Sequence, residues 1–175
     1  MAIRPYKGIL PTLGARAYVD ESATVIGDVA LGADSSIWPQ CSVRGDVNTI
    51  RIGARSNVQD GSVIHVTHPH ESIEGGRAVH IGDDVTIGHQ CTVHGCTIGN
   101  LCLIGMGSTL LDGAVLDDHV FLGAGSLVTE GKRLEGGWLW LGRPAKKLRP
   151  LTDEEWKWFE YSARHYVKLK DDYLK

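Results

Sequence analysis

At 175 residues, with 18 Lys and Arg against 21 Asp and Glu, the chain has the size of one domain, or of one domain with a terminal appendage, and a formal charge of -3. That balance leaves no basic stripe for a nucleic acid or a membrane surface, and no apolar run approaches the roughly 18 residues of a transmembrane helix. The start, Met1-Ala2-Ile3-Arg4-Pro5, has no apolar secretory core, so a cytoplasmic protein is expected. Gly reaches 22 residues, well above the average of roughly 7%, and helix formers are scarce until the C-terminus. The composition reads as all-β with many tight turns.

Taken along the chain, aliphatic residues recur every six positions: Val19, Val25, Leu31, Ile37 and Val43. The series resumes at Ile52, Val58 and Ile64, then at Ile81, Ile87 and Val93, and last from Ile98 by Ile104, Leu110, Leu116 and Leu122 to Val128. A six-residue period fits neither an amphipathic helix nor a hairpin array. It fits a parallel β-helix in which each hexad supplies one short strand and one turn, three hexads close a triangular coil, and coils stack about 4.8 Å apart. Gly follows the aliphatic at Gly32, Gly53, Gly82, Gly88, Gly99, Gly105 and Gly123, where it is expected to supply turn conformations closed to other residues. Such coils are unstable singly and need capped ends.

Cys41, Cys91, Cys96 and Cys102 each stand two residues before a core aliphatic, in a slot held elsewhere by Ala23, Ser35, Ser56, Ser62, Ser108, Ala114 and Ser126. The register predicts small inward packing residues rather than a disulfide or metal cluster. After Val128 the period is expected to stop, with 136–150 as a connector closing the coil. Residues 1–150 then form the β-helix domain. Thr152 and Glu155 have the spacing of a capping box opening a helix from about Asp153 to Leu174, so that 151–175 is a terminal helix. Its predicted apolar face is Trp156, Phe159, Ala163, Tyr166, Val167 and Tyr173, packed on the β-helix of its own chain or of a neighbour.

Chemistry gathers at two breaks in the hexads. Val43 to Ile52 is nine residues, and Ile64 to Ile81 is seventeen, with an excursion holding His68, Pro69 and His70. Counting each break as one hexad with a looped-out insertion puts Val43, Ile64 and Val93 on one face. His65 and His94, each directly after its core residue, then stand one coil apart in one column, with Arg44 one coil below. Stacked strands let two imidazoles reach one zinc ion, whose nitrogen ligands lie roughly 3.3 Å apart. His89 falls on a different face, together with Gln59 and Asp60. If all three histidines bind one metal, His89 comes from a neighbouring chain, which predicts a cyclic homotrimer in which Asp60 can meet Arg44 across the interface. A lone surface histidine is more often only a polar side chain, and His70, His80, His119 and His165 are assigned no role.

Arg44-Gly45-Asp46, Ile52-Gly53, Asn57 to Asp60, His65, Gly88-His89 and His94-Gly95-Cys96 together resemble the γ-class carbonic anhydrases, closest to their shorter bacterial branch, over nearly the whole chain. The resemblance implies a left-handed β-helix of hexapeptide repeats and zinc (or Fe2+ or Co2+) on His65, His89 and His94. It implies that Gln59 hydrogen-bonds the water on the metal and that Arg44, Asp46 and Asp60 form an ion-pair network joining subunits. Tyr161 or Tyr166 would lean toward the site. The implied activity is reversible hydration of CO2 to bicarbonate, with metal lowering the pKa of its water. The chain departs from the best-characterised members at two glutamates, having Val47 after Asp46 and His68 three residues after the first ligand. His68 is the candidate proton carrier in their place, imidazole being suited to proton transfer near neutrality. Two other functions fit the same coil: an acyltransferase or acyl-CoA thioesterase, and a non-catalytic trimer stapled by zinc.

Overall fold

A computed structural model describes residues 2–175. The hexads wind into a parallel β-helix with three columns of core side chains. One column is Val25, Val43, Ile64, Val93, Leu110 and Val128, all fully buried, on strands that include Val63–His65, Thr92–His94, Thr109–Leu110 and Leu127–Val128. This is face one. Face two carries Leu31, Ile52, Ile81, Ile98, Leu116 and Leu134, and face three carries Ile37, Val58, Ile87, Ile104, Leu122 and Trp140. Successive strands pair in parallel with core residue over core residue, as Val58, Ile87 and Ile104 do. Each buried aliphatic contributes about 1.5–3 kcal/mol, and the three columns merge into one axial core built by repetition of one contact. Among the described residues no helix is long and apolar enough to cross a membrane.

The repeat runs further than its aliphatic spelling. Leu134 and Trp140 continue the six-residue spacing past Val128 and are buried. The expected connector at 136–150 is therefore partly a further coil. Trp138–Leu141 pairs in parallel on Phe121–Leu122, and Lys146–Pro150 turns back antiparallel on it, covering the open sheet edge.

The glycines after the core aliphatics do a different job from the one expected. They lack positive φ; instead, a Cβ at Gly32, Gly53 or Gly105 would stand 2.4–2.5 Å from backbone of the next coil. They permit close stacking at the corner. Positive φ sits three residues before most core aliphatics, at Asp34, Arg55, Asp84 and Gln90 as well as at Gly61 and Gly107, but not before Val25, Leu31, Ile52 or Ile81. The small-residue slot is as read: all four cysteines are free and buried, and its hydroxyls and thiols donate to main-chain carbonyls, as Ser62 Oγ does to Gly88 O at 3.1 Å and Cys102 Sγ to Asp117 O at 3.2 Å.

Helix α1, Asp153–Tyr173, opens with the Thr152–Glu155 capping box. It docks on face three of its own chain, where Ser162 Oγ lies 2.9 Å from Thr86 Oγ1. The predicted apolar face packs along the helix: Phe159 and Ala163 are buried, and the Trp156 ring lies 4.8 Å from that of His119. The rings of Tyr166 and Tyr173 lie 5.5 and 5.3 Å from that of buried Trp38, although Trp156 and Tyr173 stay 42% and 58% exposed. Beyond the middle a polar anchor joins these ring contacts. Lys170 is wholly buried, its Nζ 2.9 Å from Asp34 and 2.5 Å from Asp171, and Arg16 holds Asp171 at 2.6 Å.

Candidate metal centre

His65 and His94 stand opposite each other on neighbouring coils, and Arg44 stands opposite His65 from the coil below. His65 Nδ1 lies 3.1 Å from His94 Nε2, close to the separation of roughly 3.3 Å between two nitrogens on one tetrahedral zinc. The remaining nitrogen of each ring meets a carboxylate. His65 Nε2 is 3.0 Å from Asp46 Oδ1, and His94 Nδ1 is 2.5 Å from Asp112 Oδ1. Such carboxylate–imidazole pairs fix the tautomer and aim of a metal-ligating histidine.

The two hexad breaks build these carboxylate supports. The first insertion carries Asp46, which is also hydrogen-bonded by Arg44. The second, the excursion, is pinned to the first by Asn48 Nδ2, which donates to Thr67 O at 3.1 Å and to Gly75 O at 2.9 Å. Thr67 in turn donates its hydroxyl to Asp112. Burial opposes ionisation of Asp46, but hydrogen bonds from Arg44 and His65 outweigh it and hold the carboxyl below its ordinary range. Asp112 is likewise held low against burial, by Thr67 and His94. Burial, with Arg44 and His94 adding to it, lowers His65 against the pull of Asp46. An imidazole so placed is neutral at neutral pH, the state that a metal ligand requires.

His89 lies at the corner between faces three and one, away from the pair. Its Nδ1 is 3.0 Å from Asp60, the matching position one coil below. Within one chain, no group of three His, Cys, Asp or Glu side chains among the described residues is arranged to hold a metal ion. Arg44 pairs with Asp46 and Asp60 with His89, so both supposed members of an intersubunit network have partners in their own chain. His68 sits exposed on the excursion with its ring 6.1 Å from that of His70, and makes no hydrogen bond or ring contact with the pair.

His89 and Gln59 line one end of a groove of about 670 Å³ between α1 and face three. Tyr161 and Tyr166 both reach this groove, with Trp158, Phe121 and Leu139. Gln59 is buried and donates to Asn57 Oδ1 at 3.2 Å. Sequence reasoning missed Asp112 and Thr67. Asp112 was within reach of it: it follows Leu110 by two residues, on the coil stacked against Val93 and His94.

Residues 78–112 match the family described as Bacterial transferase hexapeptide (six repeats). Over 172 residues the chain is 55% identical to Protein YrdA of Escherichia coli, a match covering 98% of this chain and 94% of that protein. It is 45% identical over 161 residues to the mitochondrial Gamma carbonic anhydrase 2 of Arabidopsis thaliana, covering 91% of this chain and 57% of the plant protein. The crystal structure of a hexapeptide transferase family protein from Anaplasma phagocytophilum is 42% identical with a TM-score of 0.91, over 98% of each chain. Coil and matches together define a hexapeptide-repeat protein. Within that class, the chain belongs to the γ-class carbonic anhydrase family.

Proposed function

We propose that the chain works as a homotrimer that holds zinc between His65 and His94 of one subunit and His89 of the partner subunit, and that it hydrates CO2 reversibly to bicarbonate. The observation that carries this reading is that each of the three imidazoles has one nitrogen held by its own carboxylate, Asp46, Asp112 or Asp60, with the other left over as a donor. Surface histidines without a function have no need of three such supports. A divalent ion bound there, zinc or alternatively Fe2+ or Co2+, supplies Lewis-acid activation of water toward CO2.

The chain's own residues do the rest. Asp46, Asp60 and Asp112 hold the ring tautomers, and imidazole ligands, which bring no charge of their own, would leave the full charge of the ion acting on the site. Arg44 secures Asp46. Gln59, beside His89 in the groove, is the candidate to hydrogen-bond the reacting water, and His68 on the excursion is the candidate to take its proton to solvent.

The test is metal content and stopped-flow CO2 hydration of the wild type and His94→Ala. The expected result is stoichiometric metal in the wild type, with metal and at least 100-fold of the rate lost in the variant. A metal-loaded trimer inert toward CO2 would refute the activity. For His68, exogenous imidazole should restore the rate of His68→Ala; absence of rescue removes that role.

A further inference from the structure

The outward column of face three reverses the usual order of polarity. Beneath α1, past the ring of Tyr18, it is polar and covered: Ser36, Asn57 and Thr86 are buried there. Higher up, the equivalent positions are Leu103, Phe121 and Leu139, none of which the helix seals. They floor the groove, and Trp158 and Tyr161, 50% and 57% exposed, form its wall. The one carboxylate in the lining, Glu155, is taken up by Arg149 at 2.7 Å and by the helix cap. An apolar trench of about 670 Å³ is within the range that encloses a ligand of many heavy atoms, and CO2 has three. Leaving apolar side chains half-buried while polar ones are covered costs solubility, which a ligand for the trench explains.

We propose that this groove seats the apolar acyl chain of a carboxylic ester or thioester, with its carbonyl at the His89 and Gln59 end. The inference rests on the water-activating site proposed above. Water adds to the acyl carbon, the C–O or C–S bond breaks, and the leaving group departs as the alcohol or thiol with one proton from water. The product is the carboxylic acid. Leu139 and Tyr161 set chain-length preference, and Gln59 and His89 mark where the carbonyl stops.

Octanamide, a neutral and uncleaved probe, is titrated calorimetrically into metal-free and zinc-loaded wild type, Leu139→Arg and Tyr161→Ala. Saturable binding of one molecule per chain is expected in both wild-type forms, lost in Leu139→Arg and weakened several-fold in Tyr161→Ala, an exposed position that leaves the fold intact. Zinc-loaded protein should cleave p-nitrophenyl octanoate at least tenfold better in kcat/KM than the acetate, the ratio falling toward one in both variants. Octanoyl-CoA against acetyl-CoA distinguishes a thioester source from an oxygen ester. Absence of saturable octanamide binding, a chain-length ratio near one in the wild type, or a zinc-loaded trimer whose neighbouring chain fills the groove would overturn the inference. Protein that hydrates CO2 but ignores octanamide loses this inference alone. Protein that binds octanamide and cleaves the octanoyl ester without hydrating CO2 loses only the CO2 reading.

Discussion

Asp112 illustrates how one side chain can set the chemistry of another without touching a substrate. It accepts from Thr67 and lies against His94 Nδ1, so it holds the ring in the tautomer that leaves Nε2 free. Asp112→Asn keeps the size but offers an amide, which can donate to the ring and reverse the tautomer. Zinc affinity, measured by competition with a chromophoric chelator, is expected to fall 10–100-fold with the fold unchanged. Unaltered affinity would mean that the contact is only structural. The cysteines behave oppositely, as packing atoms. Burial pushes Cys41 up to about 11 and Cys96 and Cys102 up to about 12, and raises Cys91 too. At pH 8 none of the four should react with a thiol reagent until denaturant is added, since the thiolate is the reactive form. Fast labelling of any one would place it outside the stack.

Helix α1 is held by its buried middle, by tyrosine rings against Trp38 and by polar contacts at both ends. Its start rests on Glu155, whose carboxyl Arg149 holds down at about 2 from an ordinary 4.5, helped by the Thr152 main chain and opposed by burial. A folded carboxyl held below its ordinary value contributes stability that is complete above 4.5 and is lost as pH falls toward about 2. Glu155→Gln should therefore lower the melting temperature at pH 7, and the gap to wild type should close between pH 4.5 and about 2. Thr152→Ala, which removes the other half of the box, should cost about 1 kcal/mol. A gap that stays constant with pH would show that the charge of Glu155 is irrelevant to the cap. The far end adds to the Tyr173 ring contact with Trp38 a buried Lys170 between Asp34 and Asp171, a polar anchor where a periodicity argument expects an apolar residue.

At the scale of the whole molecule, the three imidazoles stand on two corners of one prism, and only assembly can join them. His89→Ala and His94→Ala subunits, each inactive alone, should regain metal and activity when refolded together. A mixed interface can combine an intact His65–His94 pair with an intact His89. Failure of mixed trimers to recover either property would place the site within single subunits and refute the shared geometry.

How much of this was readable beforehand follows from where each signal lives. The β-helix, its three columns and the stacking of His94 over His65 were legible, because a fixed six-residue period carries both the core and everything in phase with it. Trp140 hid the last coil by replacing an aliphatic with an aromatic, and the corner glycines were misjudged because crowding by the next coil leaves no local mark. The supports of the site were less legible, since Asp112 and Thr67 meet His94 only after an excursion folds back. Residue order alone therefore determined the coil and the register of the histidine pair. The choice of α1 for its own flank, the polar anchor at Lys170 and the open apolar groove were decided by tertiary packing, because each depends on contact between segments with no common period.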